Sequence, residues 1–138
     1  MESGTYVLLA RVPRPLTVEV GALGDRDFEG WYAYVGSALG PGGFSRVERH
    51  RELAAGERDA RHWHVDYLLG HPAVELVGDV RAAGADAECA VAGRLADDFA
   101  AVPGFGASDC ACESHLFGAG GREAALRAAV EAAHESVR

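Results

Sequence analysis

The stretch WYAYVGSALGPGGFSRVERH, residues Trp31 to His50, decides how the rest of the chain is read. Its opening, Trp31 to Val35, is aromatic and β-branched and reads as a buried strand. Gly36 and Ser37 let the backbone leave that strand. Leu39 to Gly43, with Gly40, Pro41, Gly42 and Gly43, reads as a turn, because glycine and proline punctuate regular structure. A helix then begins near Phe44 and carries Arg46, Arg49, His50 and Leu53. Arg46 and His50 are four residues apart and share one helix face. A tyrosine at a strand end, a glycine beside it and an arginine–histidine face on the next helix can together surround a phosphate.

Upstream, Gly4 to Val12 reads as a strand partly buried on both faces, through Tyr6, Val7, Leu8 and Leu9. Pro13-Arg14-Pro15 breaks it. Leu16 to Val20 alternates apolar and polar residues and reads as a separate half-buried strand. Gly21 to Gly30 reads as a turn region. Downstream of a helix over Phe44 to Ala55, residues Arg61 to Leu69 form a short helix ended by His71-Pro72. Val74 to Ala82 is a strand, and Ala87 to Val102 a helix with Cys89, Val91, Ala92, Leu95 and Phe99 inward. Pro103 to Cys112 is an irregular loop, Ser114 to Phe117 a short edge strand, and Arg122 to Val137 a last helix. The expected fold class is α/β, in its α+β form: a small, mainly antiparallel sheet with helices packed on it.

A chain of 138 residues is expected to form one domain, residues 1–138, with one core. No repeat or linker interrupts it. A run of about eighteen apolar residues, as a membrane span needs, is absent. The N-terminus has neither the basic start nor the apolar centre of a signal peptide. Three cysteines, an odd count, fit a reducing cytoplasm better than a disulfide framework. All thirteen basic residues are arginine, and the net charge is −8. Such a bias suggests a GC-rich genome and, with the acidic charge, a salt-adapted, halophilic cytoplasm, while plain compositional drift gives the same pattern. Residues 1–64 carry a balance of −1 and residues 65–138 a balance of −7, so the phosphate-compatible stretch lies in the less acidic half. A local arginine face can still bind nucleic acid, weakly and with marked salt dependence.

Tyr34-Val35-Gly36, with Gly4-Thr5-Tyr6 before it and Arg46 and His50 after it, resembles the GIY-YIG nuclease superfamily. Within it the chain is similar to an archaeal and bacterial domain-of-unknown-function branch, some members of which are fused to endonuclease III-type DNA glycosylases. The resemblance runs from about Gly4 to Phe117. It implies that Tyr6 and Tyr34 flank a scissile phosphate and that one helps deprotonate the attacking water. A phenol titrates near about 10, so that role requires a neighbouring cation or metal. It implies that Arg46 clamps phosphate oxygens and that His50 binds the phosphate or relays a proton. It also implies that Glu88, at a helix start, holds a single Mg2+ or Mn2+ ion. Two departures stand out: the Tyr6–Tyr34 connection contains an extra strand, and Ser37 stands where many active members have lysine.

Two further blocks belong to this branch: His62-Trp63-His64-Val65-Asp66-Tyr67-Leu68-Leu69, and Gly104 through Phe117. His62, His64, Cys110, Cys112 and His115 could ligate zinc. Their Cys-Xaa-Cys and His-Xaa-His spacings depart from paired zinc knuckles, so a structural zinc is disfavoured. Ser108, Asp109 and His115 are instead expected to bond to the histidine segment and wall the cleft. Cys89 reads as a small buried residue. With Ser37, Arg49, His62, His64, Ser108 and His115 as nucleic-acid contacts, the expected function is metal-dependent endonuclease action on nucleic acid, DNA ahead of RNA, in repair or processing, with a repair enzyme as a further partner and no membrane. The alternatives are a non-catalytic nucleic-acid-binding module and a zinc-stapled interaction domain.

Overall fold

A computed structural model describes residues 2–59, 61, 63–97, 99–106, 114–119, 121, 123–124 and 127–131. Strands β1 (Gly4–Glu19) and β2 (Asp25–Ala38) form a long antiparallel hairpin joined through a single 3-10 turn at Gly21–Leu23. Helix α1 (Ser45–Ala54), helix α2 (His64–Leu69), strand β3 (Glu75–Ala83) and helix α3 (Glu88–Ala96) follow, then strands β4 (Ala100–Ala101) and β5 (Leu116–Ala119). The sheet order is β3-β1-β2-β5-β4, and each pairing is antiparallel. The fold is α+β, as the sequence pattern implies.

The hairpin explains the uninterrupted apolar run of β1. Tyr6, Leu8, Ala10 and Val12 point to one face, where Phe44, Val47, Val65, Leu68 and Leu69 of the α1–α2 layer cover them. Val7 and Leu9 point to the other, packed with Ala33, Val35, Val91, Ala92, Leu95 and Phe117. A strand buried on both faces needs no polar alternation. Helix α1 docks through Val47, His50 and Leu53, one residue every turn. Burying a side chain such as Leu53 contributes roughly 1.5–3 kcal/mol.

Several expectations from the sequence need correction. Leu16 to Val20 is no extra strand: Leu16 to Glu19 continue β1 and pair with Phe28 to Asp25 of β2. At Pro13-Arg14-Pro15 the register shifts between Val12 and Leu16, a bulge that accommodates prolines lacking an N–H. Tyr6 and Tyr34 are therefore on one hairpin, with arms that continue beyond them. The expected turn at Gly21 to Gly30 is confined to its first residues. Helix α3 stops at Ala96, and Ala100–Ala101 pair with β5, so strand pairing overrides an alanine-rich helical preference. Strand β5 lies inside the sheet, between β2 and β4, and not at its edge. Cys89 is exposed, since Val91, Ala92 and Leu95 take the buried face of α3. Residues 123–124 and 127–131 are helical, and the rest of the expected last helix lies outside the described residues, as do residues 107–112 of the loop.

Candidate active site

The pairing register brings the two tyrosines together. Tyr6 lies opposite Gly36, and Tyr34 lies opposite Leu8 two positions along, so both phenols leave the same face of the hairpin. Gly36 is required by this arrangement. A Cβ at position 36 would run into the ring and hydroxyl of Tyr6. The Tyr-Val-Gly tripeptide is thus a seat for the first tyrosine, and only a hydrogen side chain fits beneath it.

Helix α1 supplies the next two groups. His50 is completely buried, and the Tyr6 hydroxyl lies 2.8 Å from its Nε2. Arg46, one turn earlier, donates from Nη1 to the Ser37 carbonyl at 2.7 Å, and its guanidinium stacks on Trp63, 4.7 Å from the ring centre. Both contacts hold the arginine across the opening of the cleft. Arg49 turns elsewhere. Its fork grips Asp66 at 3.1 and 3.0 Å, and its guanidinium also lies over Trp63 at 4.6 Å.

Glu88 reaches the same cleft from the opposite sheet face, because α3 follows β3 and begins beside the start of β1. Thr5, buried beside Tyr6, fixes that approach. Its hydroxyl donates to the Ala85 carbonyl at 2.9 Å and accepts the Ala87 N–H at 3.0 Å. Thr5 therefore does the work of an N-cap from a distant strand. Sequence reasoning passed over this residue, although its place beside Tyr6 in Gly4-Thr5-Tyr6 is the signal that could have found it. His115, buried just before β5, has Nδ1 3.8 Å from the Glu88 carboxylate.

The resulting cleft of about 220 Å³ is lined by Tyr6, Tyr34, Gly36, Ser37, Arg46, His50, Trp63, Glu88, Gly106 and His115. Tyr6, Tyr34, Arg46, His50, Glu88, Ser37 and His115 thus line one cleft. Arg49 lines an adjoining groove instead, and that groove shares Arg46 and Trp63 with the cleft. His64 is a structural link: its Nδ1 accepts the Gly106 N–H at 2.7 Å, and its ring packs on Phe105. Gly106 has a φ of 68° and sits against the Tyr34 ring, which suits glycine there. His62, Ser108, Asp109, Cys110 and Cys112 lie outside the described residues.

Burial dominates the electrostatics. It pushes both phenols well above the ordinary tyrosine value, with nearby carboxylates adding and Arg46 opposing. Burial also lowers His50 to about 4, although Asp66 pulls in the other direction. His64 and His115 shift down for the same reason. At neutral pH the pair is a neutral phenol hydrogen-bonded to a neutral imidazole, and which of the two donates depends on the imidazole tautomer. Among the described residues no group of three or more histidine, cysteine or acidic side chains is placed to hold a metal. Glu88, partly exposed in the cleft, is suited to a different mode. One carboxylate with waters and phosphate oxygens fits magnesium or manganese, which rarely takes an all-protein cage.

A family described as "Domain of unknown function DUF123" matches residues 5–138, and the chain belongs to that family. Comparisons with curated proteins and with solved structures gave no match. No helix among the described residues is long and apolar enough to cross a membrane.

Proposed function

We propose that this DUF123 chain is a phosphodiester hydrolase of the GIY-YIG nuclease type, acting on nucleic acid, with DNA as the substrate in repair or processing. The observation that carries the reading is the 2.8 Å Tyr6–His50 contact inside a cleft that also presents Arg46, Tyr34 and Glu88. A phosphate placed there meets a guanidinium fork, two phenols and a proton acceptor.

The reaction follows from those roles. Water attacks phosphorus and gives a proton to Tyr6 Oη as the phenol proton passes to His50 Nε2. The P–O bond to the leaving group breaks, and solvent protonates the departing oxygen. Arg46 opposes the charge that accumulates on the non-bridging oxygens. A magnesium or manganese ion on Glu88 would supply further charge neutralisation. Tyr34 and Ser37 orient the phosphate, and His115 sets the Glu88 carboxylate. Ser37 in place of a cation makes turnover slower than where a lysine stands.

The net charge of −8 and the absence of a cation at Ser37 favour a second reading, a nucleic-acid-binding module that positions a repair partner without turnover. Incubation with branched, damaged and single-stranded DNA and RNA, with magnesium or manganese and at low and molar salt, separates the two. Hydrolysis reads as new ends that need divalent metal. Binding of these substrates with no cleavage under any condition supports the module.

A further inference from the structure

His50 has a second ring nitrogen for which the proposed reaction has no use. Nδ1 is buried and, among the described residues, lacks a hydrogen-bond partner. Asp66 Oδ1 lies 4.0 Å from it. Asp66 is fully buried as well, and its position is strongly constrained. The Arg49 fork holds both oxygens, and the Trp63 N–H donates to Oδ2 at 3.0 Å where α2 begins. Arg49 precedes His50 on α1, so the same helix that carries the imidazole also carries the anchor for the carboxylate beside it.

A buried ion pair is weak evidence for stability, because desolvation offsets most of the attraction. Its placement here has a chemical consequence. A neutral imidazole carries one N–H, and only the other nitrogen accepts a hydrogen bond. With the proton on Nδ1, a positive hydrogen faces the carboxylate and the Nε2 lone pair faces the Tyr6 hydroxyl. With the proton on Nε2, the Nδ1 lone pair would face a carboxylate in a dry site, and Tyr6 would have no acceptor.

We propose that Asp66 is a positioning residue: clamped by Arg49, it holds His50 in the Nδ1–H tautomer and so makes Nε2 the acceptor of the Tyr6 phenol. When the Oη–H bond breaks and the Nε2–H bond forms, the resulting imidazolium has a counter-charge on its far side. Tyr6, His50 and Asp66 form one chain of groups with Asp66 at the buried end. The tautomer stands independently of the reaction, and only its catalytic consequence rests on the hydrolase reading.

Long-range proton–nitrogen NMR correlations on the full chain, without substrate, report the tautomer of assigned His50 directly. The wild type should show the Nδ1–H form, and an Nε2–H form would overturn the proposal with no variant needed. Asp66→Asn is isosteric and keeps an acceptor for the Trp63 N–H, but it removes the charge. It should move His50 toward the Nε2–H tautomer and lower kcat by at least about 10²-fold with little change in KM. If folded Asp66→Asn kept the wild-type tautomer, Asp66 would not be what sets it. A wild type that cleaves nothing while showing the Nδ1–H form would sink the hydrolase reading and leave this one standing.

Discussion

Gly36→Ala probes the seat beneath Tyr6 with a single methyl group. Gly36 has no left-handed backbone, so alanine incurs no conformational strain there. The cost comes from the contact: the added Cβ meets the far end of the Tyr6 ring and its hydroxyl. Tyr6 is buried and its hydroxyl is bonded to His50, so moving the ring away from an added methyl gives up that bond. Overpacking of this kind costs about 1–3 kcal/mol. Loss of the Tyr6–His50 bond adds about 0.5–1.5 kcal/mol. Alanine returns about 0.5–1 kcal/mol relative to glycine in a strand. The net expectation is a destabilisation of roughly 0.5–4 kcal/mol, read by urea or thermal unfolding. In a Tyr6→Leu background the obstructing atoms are gone, and Gly36→Ala should cost less than about 0.5 kcal/mol. Equal costs in the two backgrounds, or a negligible cost in the wild type, would refute the seat.

Two other perturbations test the surroundings of the cleft. His50 is neutral in the folded chain and titrates near about 4, below its unfolded value, so the unfolded state takes up the extra proton on acidification. Stability should therefore fall as pH drops below about 6.5, with a contribution from His50 of on the order of 3 kcal/mol complete near about pH 4, and folded His50→Leu should show a shallower slope over that window. His64 and His115 act in the same direction. Thr5→Val keeps the shape but leaves the Ala85 carbonyl and Ala87 N–H without their partner, a loss of about 1–3 kcal/mol by denaturant unfolding. The same variant should weaken magnesium-supported activity through Glu88, and unchanged stability would show that the clamp contributes nothing.

The parts of the site that were legible in the sequence share a cause: each lies on an element whose local pattern is strong. Arg46 and His50 follow from helical spacing, and Tyr34 and Gly36 from a strand and its exit. What local pattern could not show was pairing. Leu16 to Glu19 belong to β1 because β2 runs far enough to pair with them, and that is a property of both arms together. Ala100–Ala101 are strand only because β5 returns beside them. Arg49 and Asp66 are seventeen residues apart, and nothing in either segment shows that a fork would close between them. Thr5 likewise acts on residues eighty positions away.

Single-turnover cleavage of a labelled nucleic acid at saturating protein tests the central claim most directly, using wild type, Arg46→Ala and Glu88→Gln, with folding checked by thermal unfolding. Metal-dependent cleavage by the wild type is expected, with a loss of at least about 10²-fold in each variant. Both variants should remain folded, and Glu88→Gln should still bind the intact substrate, since it removes a charge and not the cleft. Cleavage that persists at the wild-type rate in folded Arg46→Ala and Glu88→Gln would place the chemistry elsewhere and contradict the account.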